Sequence, residues 1–220
     1  MRIVFAFVVL FLFSACNGGD DRPDVSGIDM KVSVERFDRS LFETDTSRMV
    51  TGLQQVFAEH REFYPFYMNE ILLLKGAHTV LPDGRVELNA EGEQVLRNFF
   101  RAYRPIYDSV NIRYSNLGWL EEELKQSFRY VKHYFPEYRM PEVVTYVATF
   151  DAPGIVMTPR HLGIGLHQYA GKNFSVYRNP QILEIYPEYI SRRFDKEYMT
   201  ANCMKAIADD IYPDRSVGKP

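Results

Sequence analysis

The stretch that decides the fold is VVTYVATF, residues 143–150. β-Branched and aromatic side chains dominate this stretch and no charge interrupts it, which is typical of a strand that is buried on both faces. Two further apolar segments, residues 154–158 and 161–167, follow after a turn with the sequence DAPG. The second half of the chain is therefore predicted to contain a small sheet.

The first half of the chain contains one segment whose apolar residues alternate as in a strand, followed by segments whose apolar residues are spaced as in helices. Residues 30–37 alternate apolar and polar side chains, as a half-buried strand does. Pro65 and Pro105 are predicted to end or interrupt helices, because proline lacks a backbone N–H and disfavours helix before it. The fold class predicted is α+β, a mostly helical body with a small sheet; an all-helical body with a small hairpin is the alternative. Helical spacing is found in residues 45–64, 91–103, 114–134, 188–198 and 200–211.

The first residues have the features of a secretory signal. Arg2 precedes an apolar run, residues 3–13, and the small residues Ser14 and Ala15 precede Cys16. The run is too short for a membrane-spanning helix, which needs ~20 apolar residues. The sequence LFSAC resembles a lipobox, so residues 1–15 are predicted to be a signal peptide and Cys16 the lipid attachment site.

The rest of the chain divides into a tether and a body. Residues 16–27 are polar and contain glycine, so they are predicted to form a lipidated flexible tether. Residues 28–220 are long enough to bury one core and are predicted to form a single α+β domain. The protein is therefore expected to contact a membrane through its lipid anchor.

Charge and cysteine content exclude some classes of function. The net charge is −3, and it becomes −4 when removal of residues 1–15 takes away Arg2. This balance gives no electrostatic footprint for nucleic acid, so no nucleic-acid partner is expected. Cys203 is the one cysteine besides Cys16, so lipidation of Cys16 leaves no pair for an intrachain disulfide.

A search for catalytic motifs gives no catalytic residue and no cofactor. The sequence has no H-E-x-x-H zinc helix, no G-x-S-x-G elbow and no phosphate-binding loop. His161 and His167 are six residues apart, and a regular strand would place them on one face, with Asp151 at the preceding turn. A metal site made of these three residues is a weak alternative to an ordinary structural role.

A cluster of charged residues is a weak candidate for partner binding. It contains Glu188, Arg192, Arg193 and Asp195. The favourable spacing of Glu188 and Arg192 on a helix fits a solvated face as well as it fits an interface.

Three segments resemble a known family. They are residues 24–38 (DVSGIDMKVSVERFD), 163–172 (GIGLHQYAGK) and 185–195 (IYPEYISRRFD). Together with Cys16, they resemble the gliding motility lipoprotein GldB family of Bacteroidetes. The resemblance implies a non-enzymatic lipoprotein of the cell envelope, with the outer membrane as the expected location. It also implies partners in the gliding machinery and the linked type IX secretion apparatus.

The resemblance leaves two matters open. Members of the family continue beyond the point where this chain stops, so whether the domain of residues 28–220 is complete at its C-terminus is left open. The family also resembles zinc-peptidase-like domains more distantly, so a membrane-tethered hydrolase, degenerate or active, is one alternative function. A ligand-binding lipoprotein with an aromatic pocket is the other.

Overall fold

A computed structural model describes residues 22–213 of the chain. The predicted signal peptide, Cys16, the first part of the predicted tether and residues 214–220 lie outside the described residues. Within residues 22–213 there are eight α-helices and six strands. The helices are α1 (Phe37–Phe42), α2 (Met49–Glu59), α3 (Phe63–Phe66), α4 (Ala90–Arg113), α5 (Gly118–Tyr134), α6 (Pro180–Ile185), α7 (Glu188–Ser191) and α8 (Met199–Ile211).

The strands form a four-stranded mixed sheet and a hairpin. They are β1 (Val34–Glu35), β2 (His78–Val80), β3 (Val86–Leu88), β4 (Glu142–Tyr146), β5 (Ile155–Met157) and β6 (His161–Gly165). The order in the larger sheet is β1-β4-β6-β5, with β1, β4 and β6 parallel and β5 antiparallel to β6. The predicted α+β class and the strands in the second half of the chain are therefore confirmed.

The strand predicted at residues 30–37 is much shorter than expected. Only Val34 and Glu35 pair with β4. The alternation nevertheless holds in the burial pattern, because Met30, Val32 and Val34 are half-buried and the residues between them are exposed. The apolar side chains of this segment thus pack on the core without most of the ladder hydrogen bonds.

Both prolines behave differently from the prediction. Helix α2 ends at Glu59, and Pro65 lies in the first turn of the separate helix α3, where proline is tolerated. Pro105 does not interrupt α4, which continues to Arg113. The helix buries Phe100 before the proline and Tyr107 after it, and this packing outweighs the local cost of ~3 kcal/mol.

The hairpin β2–β3 was not predicted, although its turn was visible in the sequence. Val80 pairs with Val86, and Gly84 in the turn has φ +84°, a conformation that glycine adopts without steric cost. Each strand is three residues long. Such short strands contain too few residues to show a period.

The helices bury the sheet in one large core and a smaller satellite. Residues from α1 to α5, β4, β6 and α8 form the large cluster, which includes the fully buried Tyr67 and Tyr146. A second cluster contains Ile106 of α4, Phe150, Tyr177 and Phe194. Helix α4 therefore joins the main core to the segment that precedes α8.

Two segment boundaries differ from the prediction. Val25 lies in the range assigned to the flexible tether, yet it is 2% exposed, and the Ile28 backbone N–H donates to its carbonyl at 3.1 Å. The packed part of the chain therefore begins before residue 28. The helix predicted over residues 188–198 is wrong in extent, because α7 ends at Ser191 and a separate 3-10 turn spans Lys196–Tyr198.

Candidate functional site

A polar groove of about 650 Å³ lies between β1, α1 and α2. Strand β1 brings Glu35 to its edge, and α1 follows almost immediately. Gly52 lets α2 approach the chain after α1, since a Cβ atom there would collide with the Thr44 side chain. The side chains that line the groove include Glu35, Arg36, Arg39, Ser40, Glu43, Glu59 and His60.

His60 links two sides of the groove. It caps the C-terminus of α2, and its ring packs edge-on against Phe37 with 5.3 Å between the ring centroids. The Nδ1 atom lies 3.2 Å from Glu35 Oε2, and Nε2 lies 3.0 Å from Ser40 Oγ. With 9% of its side chain exposed, His60 forms part of the groove floor.

The order carboxylate, imidazole, hydroxyl is that of serine hydrolase triads, so catalysis has to be considered. Acyl transfer also needs hydrogen-bond donors aimed at the developing oxyanion. The Ser40 backbone N–H already donates to the Arg36 carbonyl at 3.2 Å. The Arg39 guanidinium donates to Asn111 Oδ1 at 2.8 Å and to the Ser115 carbonyl at 3.2 Å. Because the Ser40 backbone N–H and two of the Arg39 N–H groups are engaged within the protein, the arrangement favours binding over acyl transfer.

A buried ion pair fixes the floor of the groove. The Arg36 guanidinium contacts both carboxylate oxygens of the fully buried Asp38, at 2.9 and 2.7 Å. Thr145 of β4 donates its hydroxyl to Asp38 at 2.6 Å, and Arg36 donates to the Tyr114 carbonyl at 2.6 Å. The start of α1 is thereby tied both to the central strand and to the end of α4.

The weak metal-site alternative is not assembled in the structure. His161 begins β6, where its ring contacts Phe63 and its Nε2 lies 3.7 Å from a carboxylate oxygen of Glu142. His167 lies beyond the end of β6, in a 3-10 turn, so the strand alternation that would align the two histidines stops before it. Within residues 22–213, no group of three or more His, Cys, Asp or Glu residues could hold a metal ion.

His167 and Asp151 have other surroundings. The His167 Nδ1 accepts from the Ala148 backbone N–H at 3.3 Å, so Nε2 carries the hydrogen that faces the Ala152 carbonyl at 3.4 Å. Burial lowers the pKa of His167 to about 4, so the ring is neutral at pH 7. Asp151 is exposed and lines a separate depression beside Leu73. These positions indicate a structural role for His167.

The partner-binding candidates divide into surface and buried residues. Arg192 donates to Glu188 at 2.9 Å, and these two side chains and Arg193 are exposed. Asp195 is only 8% exposed, so it offers little surface to a partner. Its carboxylate accepts hydrogen bonds from the Arg113 guanidinium at 2.6 Å and from two backbone N–H groups.

The ionisation of Asp195 fits this structural role. Burial opposes its ionisation, but the hydrogen bonds from the backbone of Lys172 and Lys196, together with Arg113, lower its pKa below 3.8. Cys203 is also structural. It is fully buried on α8, and burial raises the pKa of its thiol to about 12, so it is no nucleophile at neutral pH.

Comparison with protein families gives one match. The family model described as gliding motility protein GldB matches residues 18–219. The chain belongs to the GldB family. No curated protein and no solved structure matches it. Membership indicates a gliding motility lipoprotein that is associated with the cell envelope.

The three segments that resemble the GldB family occupy structural positions. Residues 24–38 supply β1, Glu35 and the Arg36–Asp38 pair, and residues 163–172 supply the end of β6 and the turn with His167. Residues 185–195 end on the buried Asp195. Among residues 22–213, no helix is long and apolar enough to cross a membrane.

Sequence reasoning missed the groove. Glu35, Ser40 and His60 belong to a strand, a helix and a helix end, and their spacing matches no motif. His60 lies at the end of α2, and its contacts with Glu35 and Ser40 depend on how α1 and α2 pack. No local signal in the sequence could have found them.

Proposed function

We propose that the protein is a lipid-anchored, non-catalytic component of the gliding machinery and of the type IX secretion apparatus linked to it. The observation that carries this proposal is the match to the GldB family over residues 18–219. The lipobox that ends at Cys16 supports attachment to the envelope, with the outer membrane as the expected site. The engagement of the Ser40 backbone N–H and of two Arg39 N–H groups within the protein supports a role in binding.

The groove is the proposed binding site for an envelope partner. Glu35 and Glu59 expose about half or more of their side chains at its rim, whereas Arg36 and Arg39 are held by bonds to Asp38 and Asn111. A partner would therefore meet a negative rim over a fixed floor. Its complementary surface would carry lysine or arginine side chains.

Neither alternative function has comparable support. A zinc hydrolase would need the ligand group that residues 22–213 do not provide. A ligand-binding lipoprotein with an aromatic pocket would need aromatic side chains around a cavity. The groove lining contains no Phe, Tyr or Trp, and the large aromatic residues Tyr64, Tyr67 and Tyr146 are fully buried in the core.

Deletion and complementation in a gliding host test the anchor. Loss of the gene should abolish spreading and impair type IX secretion, and the wild-type gene should restore both. Cys16→Ala should fail to incorporate labelled palmitate and should fail to complement. Cys203→Ala is the matched control, since it removes a buried thiol and should still incorporate palmitate and complement the deletion. Normal spreading after deletion would contradict the proposed function.

Site-specific cross-linking tests the groove. A photoreactive amino acid at Gln55, which is exposed in the groove, should form an adduct with an envelope protein in living cells. The same group at Gln94, exposed on α4 and outside the groove, is the control. Adding Glu35→Gln and Glu59→Gln should abolish the Gln55 adduct. An adduct that persists in that variant, or appears equally from Gln94, would refute the groove as the binding site.

A further inference from the structure

An exposed aromatic cluster lies where α5 and α8 end. Tyr134, the last residue of α5, is 61% exposed and Phe135 is 36% exposed, in a stretch of residues 133–137 that all face solvent. Tyr212, 75% exposed, follows α8, and its ring centroid is 6.2 Å from that of Phe135. We call Tyr134, Phe135 and Tyr212 the aromatic cluster. Large exposed aromatic groups of this kind mark docking surfaces, and tyrosine favours the membrane–water interface.

The N-terminal segment runs along α5 towards this cluster. The Val34 backbone N–H donates to Glu121 Oε1 at 3.0 Å, near the start of α5. Six residues earlier in the chain, the Ile28 carbonyl accepts from Arg129 Nε at 2.9 Å, two turns further along the helix. Arg129 is five residues from Tyr134, about 7.5 Å of helix rise. The packed N-terminus therefore lies at the same end of α5 as the aromatic cluster.

The distance from the lipid site to the body is short. Six residue steps separate Cys16 from Arg22, the first described residue, and even a fully extended chain would span at most about 22 Å over them. The buried Val25 and its turn to Ile28 hold the next residues on the body. If Cys16 carries lipid, as the proposed function states, this end of α5 is kept close to the bilayer.

We propose that the aromatic cluster is a second contact with the membrane that holds the lipid anchor. Tyr134, Phe135 and Tyr212 enter the headgroup region of the phospholipid surface with their rings, while the hydroxyl groups of the tyrosines stay hydrated. The exposed side chains His133 and Arg139 flank the cluster and suit phosphate headgroups, with Glu137, Asp209 and Asp210 as the opposing charges. The partner inferred is a lipid surface.

This contact would orient the groove. Glu35 follows Val34, which binds Glu121 at the start of α5. Glu121 is thirteen residues from Tyr134, or about 20 Å of helix rise. A molecule that rests on its aromatic cluster therefore holds the groove at the opposite end of α5, away from the bilayer and open to a partner.

Vesicle binding of the unlipidated mature chain tests the proposal. The mature chain with Cys16→Ser would be mixed with vesicles of phosphatidylethanolamine and phosphatidylglycerol, and cosedimentation would give a partition coefficient. The triple variant Tyr134→Ser, Phe135→Ser and Tyr212→Ser should lower that coefficient by about tenfold or more, because three aromatic side chains lose their burial. Circular dichroism would confirm that both chains are folded.

A matched triple variant supplies the control. Leu183, Ile185 and Tyr189 are also exposed and apolar but lie on α6 and α7. Their replacement by serine should leave the partition coefficient within about twofold of the parent. No vesicle binding by the parent chain, or equal losses in both triple variants, would overturn the proposal, as would a change of oligomeric state in place of vesicle binding. Palmitate labelling of Cys16 is measured independently of vesicle binding. Absence of the lipid anchor and absence of the aromatic contact can therefore be distinguished.

Discussion

The tripeptide Arg-Phe-Asp occurs twice, at residues 36–38 and 193–195, and its two copies differ in how they neutralise the aspartate. In both, the phenylalanine and the aspartate are buried. Asp38 pairs with Arg36 of its own tripeptide, whereas Asp195 pairs with Arg113 at the end of α4 and leaves Arg193 exposed. Both copies thereby hold the end of α4, since Arg36 also donates to the Tyr114 carbonyl.

The comparison shows that a short sequence does not determine its own ion pair. Asp38 is fully buried, and the side chain of Arg36 is 14% exposed, so water can replace little of either partner. The Arg113 side chain is 37% exposed, so water can solvate it when Asp195 is lost. The first copy should therefore contribute more to stability than the second.

Asp38→Ala should cause the largest loss of stability. It leaves the Arg36 guanidinium buried without its carboxylate, and breaking such a pair costs about 3–5 kcal/mol in the free energy of unfolding. Urea unfolding followed by circular dichroism would measure it. Glu122→Ala, an exposed change on α5, is the control. A loss below about 1 kcal/mol would show that the two copies do not differ as described.

Protonation of His167 should weaken the region of the second copy at acid pH. Phe194 packs against Tyr177, whose hydroxyl donates to the His167 carbonyl at 2.7 Å. Because the pKa of His167 falls from 6.5 unfolded to about 4 folded, the unfolded chain binds more protons between these values. Stability should therefore fall by about 3 kcal/mol as the pH drops from 6.5 to 4.

The contribution of His167 to the loss of stability at acid pH is measured as a difference between wild type and variants. Burial also lowers the pKa of His78 and His161, so wild type alone cannot isolate His167. His167→Gln should flatten the fall in stability between pH 6.5 and 4, and the exposed His133→Gln should leave it unchanged. If stability falls equally with pH in wild type and in His167→Gln, the His167 ring is not kept neutral in the folded protein.

Asp195→Ala should have a smaller effect than Asp38→Ala. It removes the acceptor of three hydrogen bonds, but Arg113 can be hydrated, so a loss of about 1–2 kcal/mol is expected near pH 7. Since the folded pKa of Asp195 lies below 3.8, this contribution is present above pH 3.8 and disappears as the pH falls further. Arg193→Ala should stay within about 0.5 kcal/mol of wild type.

An Arg193→Ala loss as large as that of Asp195→Ala would contradict the pairing just described. It would indicate that the second copy uses its own arginine, as the first copy does. Thermal unfolding of the two variants at pH 7 and pH 3 distinguishes these arrangements.

The elements that sequence predicted are those with a local signal. The apolar run of residues 143–150 predicted a strand that β4 overlaps. The apolar segments of residues 154–158 and 161–167 predicted two more strands, which are β5 and β6. His161 and His167 were wrongly aligned because the strand ends at Gly165, and nothing in the spacing shows where backbone pairing stops. Asp195 was placed on the surface because its partner, Arg113, is 82 residues away in the chain.

The groove shows the same limit for the candidate site. The contacts of His60 with Glu35 and Ser40 join residues 25 and 20 positions apart, and they exist because α1 and α2 pack together. The phenylalanine between the paired Arg36 and Asp38 contributes by supporting the His60 ring. Lipid attachment, by contrast, depends on a contiguous signal, which is why sequence alone could propose Cys16.

Ser40→Ala should have the smallest effect and tests whether the first region binds or catalyses. The hydroxyl makes one hydrogen bond with His60, which Glu35 also holds, so stability should change by less than about 1 kcal/mol. A fluorophosphonate that labels activated serines should leave the mass of the wild-type protein unchanged, because the Ser40 backbone N–H and two of the Arg39 N–H groups already donate within the protein. A mass increase that disappears in Ser40→Ala, but persists when the exposed Ser33 is replaced by alanine, would make the groove a catalytic site and refute the binding role.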